Sequence, residues 1–288
     1  MHSLPRAALL SSLIFATACA VPFDSASPTP QRPTVSSDTN LTAAGTIELE
    51  SGVSYEAGES FDTPSVLKLG LSDSTELFVG FSPQRSTEVP GPNPRGAGDV
   101  VIGSRMRIYE EGDFSTALQL ATRLPGGNGG DSGNRGESDF FIAGILGNQY
   151  DDLSVTGFYQ LGLIGERGDD SIFAEHTVAF AAGAPASESV GLFGEVAGIF
   201  RPDLDSNAIL ATAGASWAWA PNLTLDGALM IGLTDDAPDY QLLLGLTWNL
   251  GGILPSSRSA VLVGRGDSNG NTNLNHGEEM NAGAGDEL

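Results

Sequence analysis

Two sets of residues have types and spacing suited to chemistry. Glu175-His176 places a carboxylate beside an imidazole, the pairing that acid–base catalysis uses. Near the C-terminus, Asp267, Asn269, Asn271, Asn275 and Glu278 fall at positions 1, 3, 5, 9 and 12 of a calcium-loop pattern, with Leu274 at the apolar eighth. Neither set holds up against its surroundings. Neighbours in an alternating strand point to opposite faces, so Glu175 and His176 cannot act together. Thr272 replaces the turn glycine of the calcium pattern and no flanking helices are evident, so this stretch is read as part of a polar, disordered tail. No serine, histidine and acid converge on one face. One cysteine excludes an intramolecular disulfide and a cysteine-based zinc centre, and three histidines leave little for a metal site. The expectation is a protein that is not an enzyme and carries no cofactor and no metal.

The chain's first twenty residues have the pattern of an export signal. Arg6 is the only charge before Asp24, and Ala7–Ala16 is an apolar run followed by small residues. That run is too short to span a bilayer, which takes about 20 residues. Ala16-Thr17-Ala18-Cys19 resembles a bacterial lipobox with Ala where Leu is usual. Cys19 is therefore a lipidation candidate, the alternative being that it is discarded with the signal. Residues 21–44, with Pro22, Pro28, Pro30 and Pro33 among Ser, Thr and Asn, show no hydrophobic periodicity and read as an extended linker.

From Gly45 onward the elements that would position any functional side chain are strands. The chain has 288 residues with 40% hydrophobic, too apolar for a disordered acid-rich chain. Its 13 Lys+Arg against 36 Asp+Glu give a formal charge of −23, which excludes a nucleic-acid partner because phosphate binding needs a basic footprint. About twelve segments alternate with period two between turn residues: 45–56, 63–72, 75–82, 98–109, 114–124, 139–148, 153–164, 171–183, 189–201, 206–219, 223–234 and 239–250. In the last of these, Tyr240, Leu242, Leu244, Leu246, Trp248 and Leu250 share one face. Segments 171–183 and 206–219 are Ala-rich and alternate less cleanly.

Connection lengths separate a membrane barrel from a soluble sandwich. Connections 57–62, 83–97, 125–138 and 165–170 are long or moderate, whereas Asp73-Ser74, Glu110–Asp113, Gln149–Asp152 and Ala184–Glu188 are tight. Such alternation by strand parity is the habit of barrels with short periplasmic turns and longer outer loops. Tyr240 and Trp248 lie eight residues apart on one face, roughly 26 Å along a strand at about 3.3 Å per residue. Tilted, that matches the spacing of two aromatic girdles. Trp217 and Trp219 beside Pro221 would extend one of them. The predicted fold is an all-β, closed antiparallel transmembrane barrel of about 12 strands over 45–250, followed by a polar tail, 251–288. The predicted location is the outer membrane of a Gram-negative-type bacterium, with lipid around it.

The opposite face of these strands is mostly small or polar. Alternation assigns to the lumen Glu48, Glu50, Lys68, Glu76, Arg105, Arg107, Gln119, Arg123, Gln160, Glu195, Asp226 and Asn249. Two roles fit them: a mixed-charge constriction that orients solutes, or a network of paired charges that braces and plugs the lumen. Arg105 and Arg107 against Glu76 is the first pairing expected.

Several stretches are similar to a known family. Gly70–Leu77 (GLSDSTEL), Gly96–Gly103 (GAGDVVIG) with Arg105, Leu120–Gly126 (LATRLPG), and Asn222–Asp226 with Gly232–Asp239 resemble, in order and spacing, the outer-membrane transporters of the phenol-degradation meta pathway. The resemblance runs from about Thr63 to Leu250 and implies a β-barrel passing small, often aromatic or apolar compounds. Two departures stand out. Arg123-Leu124-Pro125-Gly126 lacks the usual Thr after Pro, and the chain continues well past Leu250, where such barrels end in an aromatic residue. The function expected is passive uptake of a small-molecule solute. The alternative is a non-transporting structural or surface barrel with a plugged lumen, whose loops 83–97 and 125–138 contact partners.

Overall fold

The computed structural model describes residues 26–56, 59–87, 95–126, 137–165 and 171–253. The export signal, Cys19, and the calcium-loop-like Asp267, Asn269, Asn271, Asn275 and Glu278 lie outside the described residues.

Strict alternation of apolar and small or polar residues makes each segment a strand with one greasy face. Twelve long strands result: β1 Thr46–Glu56, β2 Ser65–Ser72, β3 Thr75–Phe81, β4 Val100–Glu111, β5 Phe114–Leu124, β6 Asp139–Tyr150, β7 Leu153–Gly165, β8 Ile172–Pro185, β9 Val190–Arg201, β10 Ser206–Ala220, β11 Leu223–Gly232 and β12 Tyr240–Gly252. Each pairs antiparallel with its chain neighbours, and β12 pairs back to β1 over Tyr55↔Leu242 to Thr46↔Gly252. The ladder therefore closes on itself, leaving no open edge and no unpaired row of N–H and C=O groups in lipid. The chain is a transmembrane β-barrel of the outer-membrane type.

Asp73-Ser74, Gly112-Asp113, Asp151-Asp152, Ala186–Ser189 and Pro221-Asn222 join strands at the end where β1 begins and β12 stops. Gly112 and Asp151, both with positive φ, turn two of these corners. The longer connections all sit at the other end. There, three short strands, Ser60–Asp62, Arg85–Thr87 and Arg95–Gly96, pair with β1 and with one another beyond the ring. Alternation over so few residues did not announce them.

Side-chain direction follows the predicted parity. On β12, Leu242, Leu244, Trp248 and Leu250 are 42–53% exposed on the outer surface, while Leu243, Thr247 and Asn249 between them are buried. Outward aromatics gather at both ends: Phe114, Tyr150, Trp217, Trp219 and Trp248 near the tight turns, and Tyr55, Phe81, Phe140 and Tyr240 near the long connections. Trp217 and Trp219 pack edge to face at 4.7 Å between centroids. These are the belts a barrel places at the two membrane interfaces.

Candidate functional site: the lumen and the segment that fills it

The linker expected over 21–44 needs correction for its described part. Residues 26–45 lie inside the ring. An extended, proline-rich stretch forms no ladder of its own, so its N–H groups need acceptors wherever water is scarce. The barrel wall supplies them as carboxylates. Glu48 accepts from the Thr29 N–H (3.0 Å) and hydroxyl (3.1 Å), and Glu50 accepts from the Gln31 N–H at 2.9 Å. Glu195, across the lumen, accepts from two consecutive N–H groups, Val35 at 2.7 Å and Ser36 at 2.8 Å, and from the Ser36 hydroxyl. Glu76 accepts from the Thr42 N–H at 2.8 Å.

The wall's cations take the segment's carbonyls. Lys68 donates to Thr29 O at 2.6 Å while bridging Glu48 and Glu50, all three being 2% exposed or less. Arg105 donates to Asp38 O and Asn40 O, to Gln119 at 3.1 Å, and meets Glu76 at 3.4 Å. Arg107 donates to Thr39 O through Nε and Nη2 and pairs with Glu110 rather than Glu76. Bonds to ionised partners are the stronger kind, so the segment is held firmly without an apolar core of its own.

Two glycines make room for it. At Gly70 an added Cβ would lie 2.2 Å from Ala43 O and 2.4 Å from Thr42 O, where the segment crosses the wall to enter β1. At Gly52 it would lie 2.2 Å from Nη1 of Arg32, whose guanidinium rests over that strand and donates to Pro64 O.

The remaining sequence candidates fall as follows. Arg123 pairs with Asp139 and lies 5.5 Å from the Phe141 ring at the long-connection mouth, where Arg201 also pairs with Glu175 at 2.7 Å. Gln160 lies half-buried on β7 between buried Phe158 and Gly162. Asn249 bonds Thr46 and the Gly251 N–H. Asp226 is buried, with no hydrogen-bond partner for either carboxylate oxygen among the described residues and the Arg32 charge nearby. Glu175 and His176 part company: Glu175 meets Arg201, while His176 Nδ1 and the Tyr159 hydroxyl share a hydrogen bond of 2.9 Å. In the connection after β1, Glu59 titrates above the ordinary carboxylate range because Glu56 repels a second negative charge.

Among the small and polar residues of the inner face stand several large apolar ones. Ala143 and Ile145 on β6, Phe158 on β7, Ala179 on β8, Ala197 on β9, Leu210 on β10, Ala228 and Met230 on β11, and Leu243 on β12 point inward and are buried. Val35 of the inner segment packs against this arc, touching both clusters. Small residues at 179 and 197 leave the space that Val35 uses. A lumen-filling segment gives such inward apolar side chains something dry to touch.

What space is left is divided. One cavity of about 150 Å³ lies between Arg32, Thr34, Ser36 and strands β7–β10. Another of about 180 Å³ lies between the segment and Glu50, Lys68, Phe78 and Arg105. A third, about 270 Å³, opens by Asn40, Asp113 and Gln149 at the tight-turn end. Each falls below the roughly 300 Å³ that solute pockets usually offer.

No family model and no curated protein matches the chain. Solved structures match its fold. It is similar to the outer-membrane channel from Pseudomonas putida F1, with TM-score 0.55 and 11% identity over 73% of this chain and 97% of that one. The KdgM porin gives TM-score 0.53 at 10% identity over 70% and 98%, and the NanC porin gives 0.53 at 10% over 71% and 100%. At these identities the likeness shows the fold: a twelve-stranded barrel of the outer-membrane kind.

Sequence reasoning missed the inner segment because main-chain donors leave no mark in side-chain patterns. One signal was present. Between the two mouths the wall carries Glu48, Glu50, Glu76, Glu195 and Asp226 against only Lys68, Arg105 and Arg107, and buried carboxylates in excess of cations require other donors.

Proposed function

We propose that the chain is an outer-membrane channel for small solutes, closed by its own residues 26–45 and opened when they withdraw. One observation carries this. The strand ladder closes through β1 and β12 without the inner segment, which is fixed mainly by hydrogen bonds to side chains. Such bonds exchange for water or solute donors at a net cost of about 1 kcal/mol each, or about 1.5–3 for ionised partners. The wall can therefore persist while the lumen empties. The apolar arc supports small aromatic or apolar solutes, the class that the resemblance to phenol-degradation meta-pathway transporters implies. The KdgM porin has a structure in complex with disordered oligogalacturonate. A polyanion of that kind is disfavoured here by the excess of wall carboxylates.

Planar-bilayer recording tests the proposal. The full chain is expected to show rare, brief openings, and deletion of residues 26–44 to give steady conductance. Silence in both would favour the second reading, a structural barrel braced by its ion pairs, which the fully buried Lys68–Glu48–Glu50 cluster supports.

A further inference from the structure

The segment's contact with the apolar arc is unlike its other attachments. Of the other wall carboxylates that accept the segment's N–H groups, Glu48 and Glu50 have Lys68 beside them and Glu76 has Arg105. Glu195 is 4% exposed, and its hydrogen bonds and ion pairs among the described residues go to Val35 and Ser36 alone. Directly opposite it in the ladder stands Thr212, also 4% exposed, whose hydroxyl has no partner among the described residues. Apolar side chains flank the pair: Ala197, Leu210 and Met230, with Val35 resting on them.

From this we infer that Thr34-Val35-Ser36 is a built-in occupant of a solute site centred on Glu195 and Thr212, which takes planar organic cations bearing two adjacent N–H donors on an apolar body. The inference rests on the channel function proposed above and names its substrate class. Val35 and Ser36 present two neighbouring N–H groups to one carboxylate, with an isopropyl group on the dry wall beside them. An amidinium or guanidinium attached to a ring presents the same two donors in one plane, matching a carboxylate in the two-pronged manner. Withdrawal of the segment leaves Glu195 to water, and a solute that seats against the apolar arc must displace that water from the carboxylate. A neutral apolar solute leaves that cost in place; a cation with donors removes it. The unused Thr212 hydroxyl can accept a further N–H.

The test uses the full chain in proteoliposomes with three probes: benzamidinium, benzyltrimethylammonium and benzoate. The first has charge and donors, the second charge alone, the third the opposite charge. Benzamidinium influx is expected to exceed benzoate influx about tenfold, with benzyltrimethylammonium between them, as one charge-assisted site would give. Glu195→Gln should collapse the benzamidinium-to-benzoate ratio to within about twofold, whatever it does to total flux, and Thr212→Val should lower it about threefold. In a chain carrying Val35→Cys and Cys19→Ser, benzamidinium should speed maleimide labelling of residue 35, and benzoate should not. Equal influx of all three probes, with labelling unaffected by benzamidinium, overturns this inference and leaves the channel standing. No influx of any probe overturns the channel itself.

Discussion

The two sides of the lumen wall hold the same segment by different means. Strands β1–β4 grip it with Glu48, Glu50, Lys68, Glu76, Arg105 and Arg107, of which all but Arg107 also pair among themselves. Strands β6–β12 offer apolar clusters set among polar groups, and there Glu195 accepts hydrogen bonds from the segment alone among the described residues. The first side is therefore part of the barrel's own stability, and the second is a surface waiting for an occupant. Charge pairing in a buried place makes a brace; a lone carboxylate amid apolar groups makes a binding site.

The largest effect should come from breaking the brace. Lys68→Met leaves Glu48 and Glu50 buried without their cation and should cost about 3–5 kcal/mol. It should be read as a fall in the temperature at which the folded band unfolds on a cold-to-hot detergent gel. Next is Glu195→Ala on the other side, which takes the acceptor from three donors of the inner segment. Openings in a planar bilayer should rise about tenfold or more, while the unfolding temperature moves far less than for Lys68→Met. Equal thermal losses for the two variants would erase the distinction between the sides.

Val35→Ser is smaller. It removes apolar contact with the arc worth about 1 kcal/mol, so opening frequency should rise a few-fold without changing the ratio of cations to anions passed. The least effect belongs to Glu59→Gln at the long-connection end. Repulsion from Glu56 raises the Glu59 pKa in the folded barrel. Ionising Glu59 is therefore harder folded than unfolded, and stability falls slightly as pH rises from about 4 to about 6. The glutamine variant should lose that slight slope, seen by comparing unfolding temperatures at those two pH values.

Much of this was legible in the chain. Period-two alternation in segments such as 223–234 and 239–250 fixed which leucines face lipid, and the parity of connection lengths fixed which end carries the tight turns. Even the Ala-rich 171–183 and 206–219 formed strands, because closure of the ring supplies hydrogen-bond partners that local propensity does not measure. The same parity assigned side chains to the lumen. The rest was hidden for physical reasons. Residues 26–45 bond mainly through N–H and C=O groups, which every residue carries, so their sequence reads as spacer. Inward Phe158, Leu210 and Met230 obeyed the alternation, but their burial depends on Val35, more than a hundred residues away in the chain.

Occupancy of the lumen by the segment is tested most directly by a cross-link. With Cys19 changed to Ser, Thr39→Cys and Ser115→Cys place two thiols where a hydroxyl of the segment and a hydroxyl of the wall now lie 2.6 Å apart. A disulfide should form in the folded barrel in detergent, hold the channel shut in a planar bilayer, and release it on reduction. A folded barrel in which those cysteines stay unlinked under oxidising conditions would contradict the account.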